Sequence, residues 1–120
     1  MKYDDQNVFA KILRGEIPCT KIDEDEFCLC FVDLNPQAPV HVLVIPKGAY
    51  VDWNDFSTKE SAEEIIAFTR AIYRVAAKTG IADSGYRVIS NIGKNGHQEV
   101  PHLHMHVLGG GLIGQLVANK

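Results

Sequence analysis

Apolar residues fall at 8, 9, 12 and 13 in Val8-Phe9-Ala10-Lys11-Ile12-Leu13-Arg14, and Gly15 follows. That spacing predicts a short amphipathic helix with a glycine stop. Ile17-Pro18 then turns the chain into an extended stretch around Thr20 to Asp23, and Glu24-Asp25-Glu26 predicts an exposed hairpin tip. A strand is expected from Phe27 to Asp33, with Phe27, Leu29, Phe31 and Asp33 on one face and Cys28, Cys30 and Val32 on the other. Two prolines and an asparagine in Leu34-Asn35-Pro36-Gln37-Ala38-Pro39 require a loop. His41 to Ile45 is apolar on both faces, as expected of a strand in the middle of a sheet, and His41 shares a face with Leu43 and Ile45.

Further on, Ser57 and Glu60 form a Ser-x-x-Glu capping pattern, and Ala62, Ile65, Phe68, Ile72 and Val75 recur at spacings of three and four. Together they predict a helix from Thr58 to Thr79, closed by Gly80, a rod of ~33 Å at 1.5 Å per residue. Tyr86 to Ile92 alternates as a strand, Gly93-Lys94-Asn95-Gly96 turns, and residues 98 to 108 read as the last strand. Three strands, a long helix and two more strands with a short connection predict an α+β domain. The expected architecture is a five-stranded, mainly antiparallel sheet with one long and one short helix. At 120 residues the chain is expected to be a single domain, 1–120.

Composition narrows the function classes. With 46% hydrophobic and 22% charged residues the chain has the make-up of an ordinary globular protein. A net charge of -3 with no basic stripe argues against a nucleic-acid binder. No apolar run approaches the ~20 residues of a membrane-spanning helix, and no leader-like segment opens the sequence. Cys19, Cys28 and Cys30, an odd number of cysteines, fit reduced thiols in the cytoplasm, and Cys28-Leu29-Cys30 lacks a third metal ligand nearby.

The candidate chemistry lies in Pro101-His102-Leu103-His104-Met105-His106-Val107-Leu108, which holds three of the five histidines. In an extended strand His102, His104 and His106 would share one face. Three imidazoles with an open position suit a hydrolytic zinc site, although no carboxylate or cysteine stands in ligand spacing. They equally suit nucleophilic catalysis, in which a neutral imidazole attacks phosphorus, a second one serves the leaving group, and water releases the intermediate. The residues alone leave both open. Gly93-Lys94-Asn95-Gly96 offers backbone N–H groups to a phosphate or is a plain hairpin turn. Asp33 beside Phe31 offers a carboxylate for sugar hydroxyls next to an aromatic wall, or simply bonds its own loop.

His102-Leu103-His104-Met105-His106-Val107-Leu108 resembles the His-x-His-x-His-apolar-apolar signature of the histidine-triad (HIT) superfamily. The resemblance extends through Gly15-Glu16-Ile17-Pro18, Asp33-Leu34-Asn35-Pro36-Gln37-Ala38-Pro39, His41-Val42-Leu43-Val44-Ile45-Pro46-Lys47 and Tyr86-Arg87-Val88. It covers nearly all of the chain but the last ten residues and points to the Hint branch, the histidine-triad nucleotide-binding proteins. The resemblance implies a HIT-like fold, a homodimer and a purine nucleoside phosphoramidase. Such an enzyme hydrolyses adenosine or guanosine 5'-phosphoramidates and aminoacyl adenylates without a cofactor. It implies His104 as the nucleophile that forms a nucleotidyl-histidine, with His106, His102 and His41 orienting it, contacting phosphate and helping the leaving amine. Asp33 would bind the ribose, and Phe9, Ile12, Ile17, Phe31 and Leu34 would line the base pocket. Asn91, Gln98 and the backbone at Glu99 and Val100 would surround the phosphate. His106, where the transferase branch has glutamine, implies that water takes the nucleotide from His104.

Some positions depart from the family pattern. Where relatives often have Cys-x-x-Cys as half of a zinc site, this chain reads Asn7-Val8-Phe9-Ala10, so no structural zinc is expected. His97 stands where a glycine is common, and Glu99 where some relatives have serine, which puts a carboxylate near an anion. The tail from Gly109 to Lys120 leaves the leaving-group preference unread. Two alternatives remain at this level: a purine-nucleotide-binding adaptor with residual catalysis, and a metal-dependent hydrolase.

Overall fold

The computed structural model describes residues 2–58 and 61–118. Its centre is built from the two stretches that are apolar on both faces, β2 (Cys28–Val32) and β3 (Val40–Pro46). With β1 (Lys21–Glu24), β4 (Tyr86–Ile89) and β5 (Met105–Gly109) they form one antiparallel sheet in the order β1-β2-β3-β5-β4. The α+β architecture expected from the sequence is the one observed, and β3 is the central strand that its two apolar faces required.

Register sorts the side chains. Cys30 pairs with Val44 and Val44 with Met105, while Val42 pairs with Val107, so these side chains line one face. Against that face lies α3 (Ala62–Lys78), which buries Phe68, Ala71, Val75 and Ala76. On the other face Leu29, Phe31, Leu43 and Ile45 are covered by Phe9 and Ile12 of α1 (Val8–Leu13). Fully burying side chains of this size stabilises by roughly 1.5–3 kcal/mol each. Both core thiols, Cys28 and Cys30, are pushed up to about 12 by burial, which makes them inert as nucleophiles. Asp23 is also buried. Its burial acts to raise the pKa, but Lys78 at 2.5 Å and Arg74 at 2.9 Å outweigh that and lower it, tying β1 to α3.

Four local expectations change. The helix foreseen over 58–79 begins later, as α3, and is preceded by a second short helix that was not foreseen, α2 (Trp53–Ser57). Ser57 is the last residue of α2 and its hydroxyl bonds the Asn54 carbonyl. The expected partner, Glu60, lies outside the described residues. The cap of α3 is Ser61, whose side chain accepts from Glu64 N–H, the same Ser-x-x-Glu pattern four residues later. That shortens the rod to 17 residues, or ~26 Å at 1.5 Å each. Phe27 precedes β2 and packs with the α3 side rather than with Leu29. β4 stops at Ile89, not Ile92. The last strand begins only at Met105, so the three histidines do not share one strand face. Among the described residues no helix is long and apolar enough to cross a membrane.

Candidate active site

His106 lies on β5, where it pairs with Leu43 on one side and Ile89 on the other. His41 sits two residues from Leu43 on the same face of β3, opposite Leu108, which makes it the diagonal neighbour of His106. Asp33 is one residue past β2, and its N–H donates to the His41 carbonyl, extending the ladder by one step. Antiparallel register therefore brings Asp33, His41 and His106 together from three strands. His104 stands just before β5, and its ring packs edge-on against Phe9 and His106, at centroid distances of 4.9 and 5.1 Å.

Hydrogen bonds assign the ring protons. Gln37 N–H donates to His41 Nδ1 at 3.0 Å, so the neutral His41 ring carries its proton on Nε2. That proton points to His106 Nδ1 at 2.8 Å, with Asp33 Oδ2 3.3 Å from the same nitrogen. His106 then carries its proton on Nε2. His104 Nδ1 lies 2.7 Å from the His102 carbonyl, which can only accept. The His104 proton is thereby held on Nδ1, and Nε2 is left with a bare lone pair. His102 is completely buried: its Nε2 donates to the Pro46 carbonyl at 2.9 Å and its Nδ1 accepts from the Tyr3 hydroxyl at 2.5 Å.

Burial disfavours charge on all four rings. It pushes His102 down to about 4, against the Pro46 carbonyl, and His106 down to about 4 with help from His104 and His41. His104 is lowered by burial and partly restored by the His102 carbonyl, Asp33 and Glu99. His41 is lowered by burial in spite of Asp33, so their 3.3 Å contact joins a neutral imidazole to a carboxylate at pH 7. Neutral rings are the form needed for attack on phosphorus.

His104 and His106 open onto a cavity of about 340 Å³. Phe9, Ile12, Phe31 and Val100 give it apolar walls, Asp33, Asn91 and Glu99 are its polar contributors, and Leu34 stands exposed at its rim. Ile17 is not on the wall; it packs behind it, in the cluster with Phe9 and Phe31. Nor are His41 and His102, which support the rings in front of them. Gln98 also turns away: its Nε2 donates to the Val51 and Val100 carbonyls and its Oε1 accepts from Gly93 N–H. Together with the bond from Asn91 Nδ2 to the Gly96 carbonyl at 2.7 Å, it clamps the loop before the histidines. Gly96 is required there, since a Cβ would stand 2.3 Å from the Ile92 carbonyl oxygen. Asp33 bonds its own loop, Oδ1 accepting from Asn35 N–H, and also lines the cavity.

Sequence reasoning missed several residues. Val8, Pro18, Cys19, Val32 and Leu43 also line the cavity, Leu43 being signalled by its shared face with His41, and His97, singled out in the sequence as a departure from the family pattern, lines it too. Tyr3 and Gln37, which fix His102 and His41, carry no local signal. Asn7 is the cap of α1, with its side chain accepting from Ala10 N–H at 2.9 Å. Asp33, His41 and His106 offer ligand atoms within 4.8 Å of one another. Chelation through His41 Nε2 would move its proton to Nδ1, where it would face the Gln37 N–H donor. The bonding of this chain therefore favours a proton chain over a cation at those three residues.

Residues 14–111 match the family model described as HIT domain. A protein of Azospirillum brasilense named an uncharacterized 13.2 kDa HIT-like protein is 56% identical, over 96% of this chain and 94% of its own length. The purine nucleoside phosphoramidase of Escherichia coli K12 is 39% identical over 97% of each chain. Among solved structures, a HIT family hydrolase from Clostridium thermocellum has a TM-score of 0.87 at 40% identity, covering 96% of this chain and 99% of that one.

Proposed function

This chain belongs to the histidine-triad (HIT) superfamily, on its Hint-like branch, and on that premise we propose that it is a purine nucleoside phosphoramidase. Its relatives support a hydrolase in general terms. The observation that carries the finer reading is the bare Nε2 of His104, left by the 2.7 Å bond from Nδ1 to the His102 carbonyl, on a cavity shared with Asp33 and Phe31. A purine lies between the apolar walls, the ribose hydroxyls bond Asp33, and the α-phosphorus comes to His104.

His104 Nε2 forms the bond to phosphorus as the P–N bond breaks, giving a nucleotidyl-histidine. One proton enters at the leaving nitrogen in that step, and one leaves the attacking water when the histidine–phosphorus bond is hydrolysed, so the cycle balances. The proton is drawn from solvent and returned to it, with His106 bonding the leaving nitrogen through its Nε2–H and His41 holding it in that tautomer. An aminoacyl adenylate leaves as a carboxylate and needs no proton. The free thiols fit a reducing cytoplasm. A homodimer formed through the edge strand β4 completes this reading, and a solution mass of one chain by light scattering would remove that part.

A fluorogenic adenosine phosphoramidate tests the activity. Turnover is expected with EDTA present throughout; its loss on chelation would restore the metal-dependent reading. AMP binding with no turnover of any phosphoramidate would favour the adaptor. Because burial lowers His104 and holds His106 near about 4, the rate should persist as pH falls through 6.5, the ordinary imidazole range, and decline only toward 4 to 5. A rate that falls by half at pH 6.5 would contradict neutral, buried rings.

A further inference from the structure

A nucleotide brings negative charge into this cavity, yet among the described residues no lysine or arginine lines it. Its acidic side chains are Asp33 and Glu99, and burial disfavours charge on the imidazoles of His104 and His106. The two carboxylates differ. Asp33 is engaged by Asn35 N–H and lies 3.3 Å from His41 Nε2, a setting that suits neutral hydroxyls. Glu99 is exposed, and its one charged partner, at 3.0 Å, is His97, itself exposed and charged only when protonated. His97 keeps that place in a left-handed backbone conformation, φ 59°, which a non-glycine residue adopts at a cost. Glu99 lines the same cavity as His104 and His106.

We propose that Glu99 is a specificity-determining residue that selects substrates whose leaving group carries a cation, such as an ammonium, and disfavours those whose leaving group is anionic. The geometry behind this is a carboxylate on the wall shared with His104 and His106, in a cavity without basic side chains. A nucleoside phosphoryl monoanion joined to an ammonium-bearing group is neutral overall and places its cation where Glu99 can meet it. A leaving group that is itself a phosphate adds like charge to a wall already negative. This inference rests on the phosphoramidase reading. Because Glu99 is solvent-exposed, the discrimination is several-fold, on the order of tenfold at low salt, and shrinks as salt screens it.

Three adenosine 5'-phosphoramidates of matched length test it, their linked amines ending in an ammonium, a methyl or a carboxylate. With the wild type at pH 8, kcat/KM should fall in that order, by roughly threefold per step. Glu99→Gln should bring the three within about twofold, and Glu99→Lys should reverse the order. Equal wild-type values, or an order unchanged in Glu99→Gln, overturn the proposal. AMP affinity by calorimetry gives a reading independent of turnover: both variants should bind AMP several-fold more tightly than the wild type at low salt. If none of the three compounds is hydrolysed, the phosphoramidase reading fails. The AMP comparison then decides the charge role of Glu99, and unchanged affinity in both variants overturns it.

Discussion

Replacing His104 by alanine should abolish phosphoramidate turnover, by a factor on the order of 10⁴ or more, while AMP still binds within several-fold of the wild-type affinity. The size of the effect follows from removing the atom that forms the covalent bond. His106 does not substitute for it: its Nδ1 is engaged by His41, and its Nε2 carries the proton. Nucleotide affinity is expected to survive because Asp33, Phe31 and Ile12 are untouched and the Gln98 clamp on the loop does not involve His104. Stopped single turnovers of the wild type should show a nucleotidyl adduct by mass spectrometry, and the variant should not. Wild-type turnover in His104→Ala would end the assignment.

The second large effect is on stability. His102→Ala should cost about 3–5 kcal/mol, because it removes a fully buried ring and leaves the Tyr3 hydroxyl and Pro46 carbonyl without their partner. For a domain of this size that corresponds to a fall in Tm of roughly 10–20 °C. Turnover should fall as well, since the backbone carbonyl of residue 102, which fixes the His104 proton, loses the buried ring that holds it in place. The same burial predicts a pH dependence. His102 is held near about 4 in the folded chain against an ordinary 6.5 when unfolded, so between those values the unfolded state binds more protons. Its contribution to stability is thus complete above pH 6.5 and lost as pH falls toward 4, on the order of 3 kcal/mol in all. Chemical denaturation at pH 7.5 and 5 measures the slope. A His102→Ala variant that melts like the wild type but is inactive would instead make His102 a substrate contact.

How far the site was legible can be judged from these two histidines. Period-two spacing suggested one ledge, yet His102 is interior, His104 lines the cavity and only His106 lies on the strand. The reason is local backbone: β5 starts at Met105, and the residues before it leave the ladder to bond Tyr50 and Pro46. The helix start shows a similar limit. Ser-x-x-Glu occurs at both Ser57 and Ser61, and nothing within either four-residue window says which serine caps.

What the sequence determined by itself is whatever depends on neighbouring residues. That covers the continuous apolar runs that make β2 and β3 buried strands, the apolar stripe of α3, the stops at Gly15 and Gly80, and the histidine motif that marks the family. His104 takes its tautomer locally, from the carbonyl two residues before it, whereas the tertiary structure decided which nitrogen of His41, His102 and His106 carries the proton. Those protons are set by Gln37, Pro46, Tyr3 and a cross-strand register, so that His41 meets His106 from 65 residues away. A hydrogen bond fixes a tautomer only once both partners are within about 3 Å, and no spacing along a single strand encodes that distance.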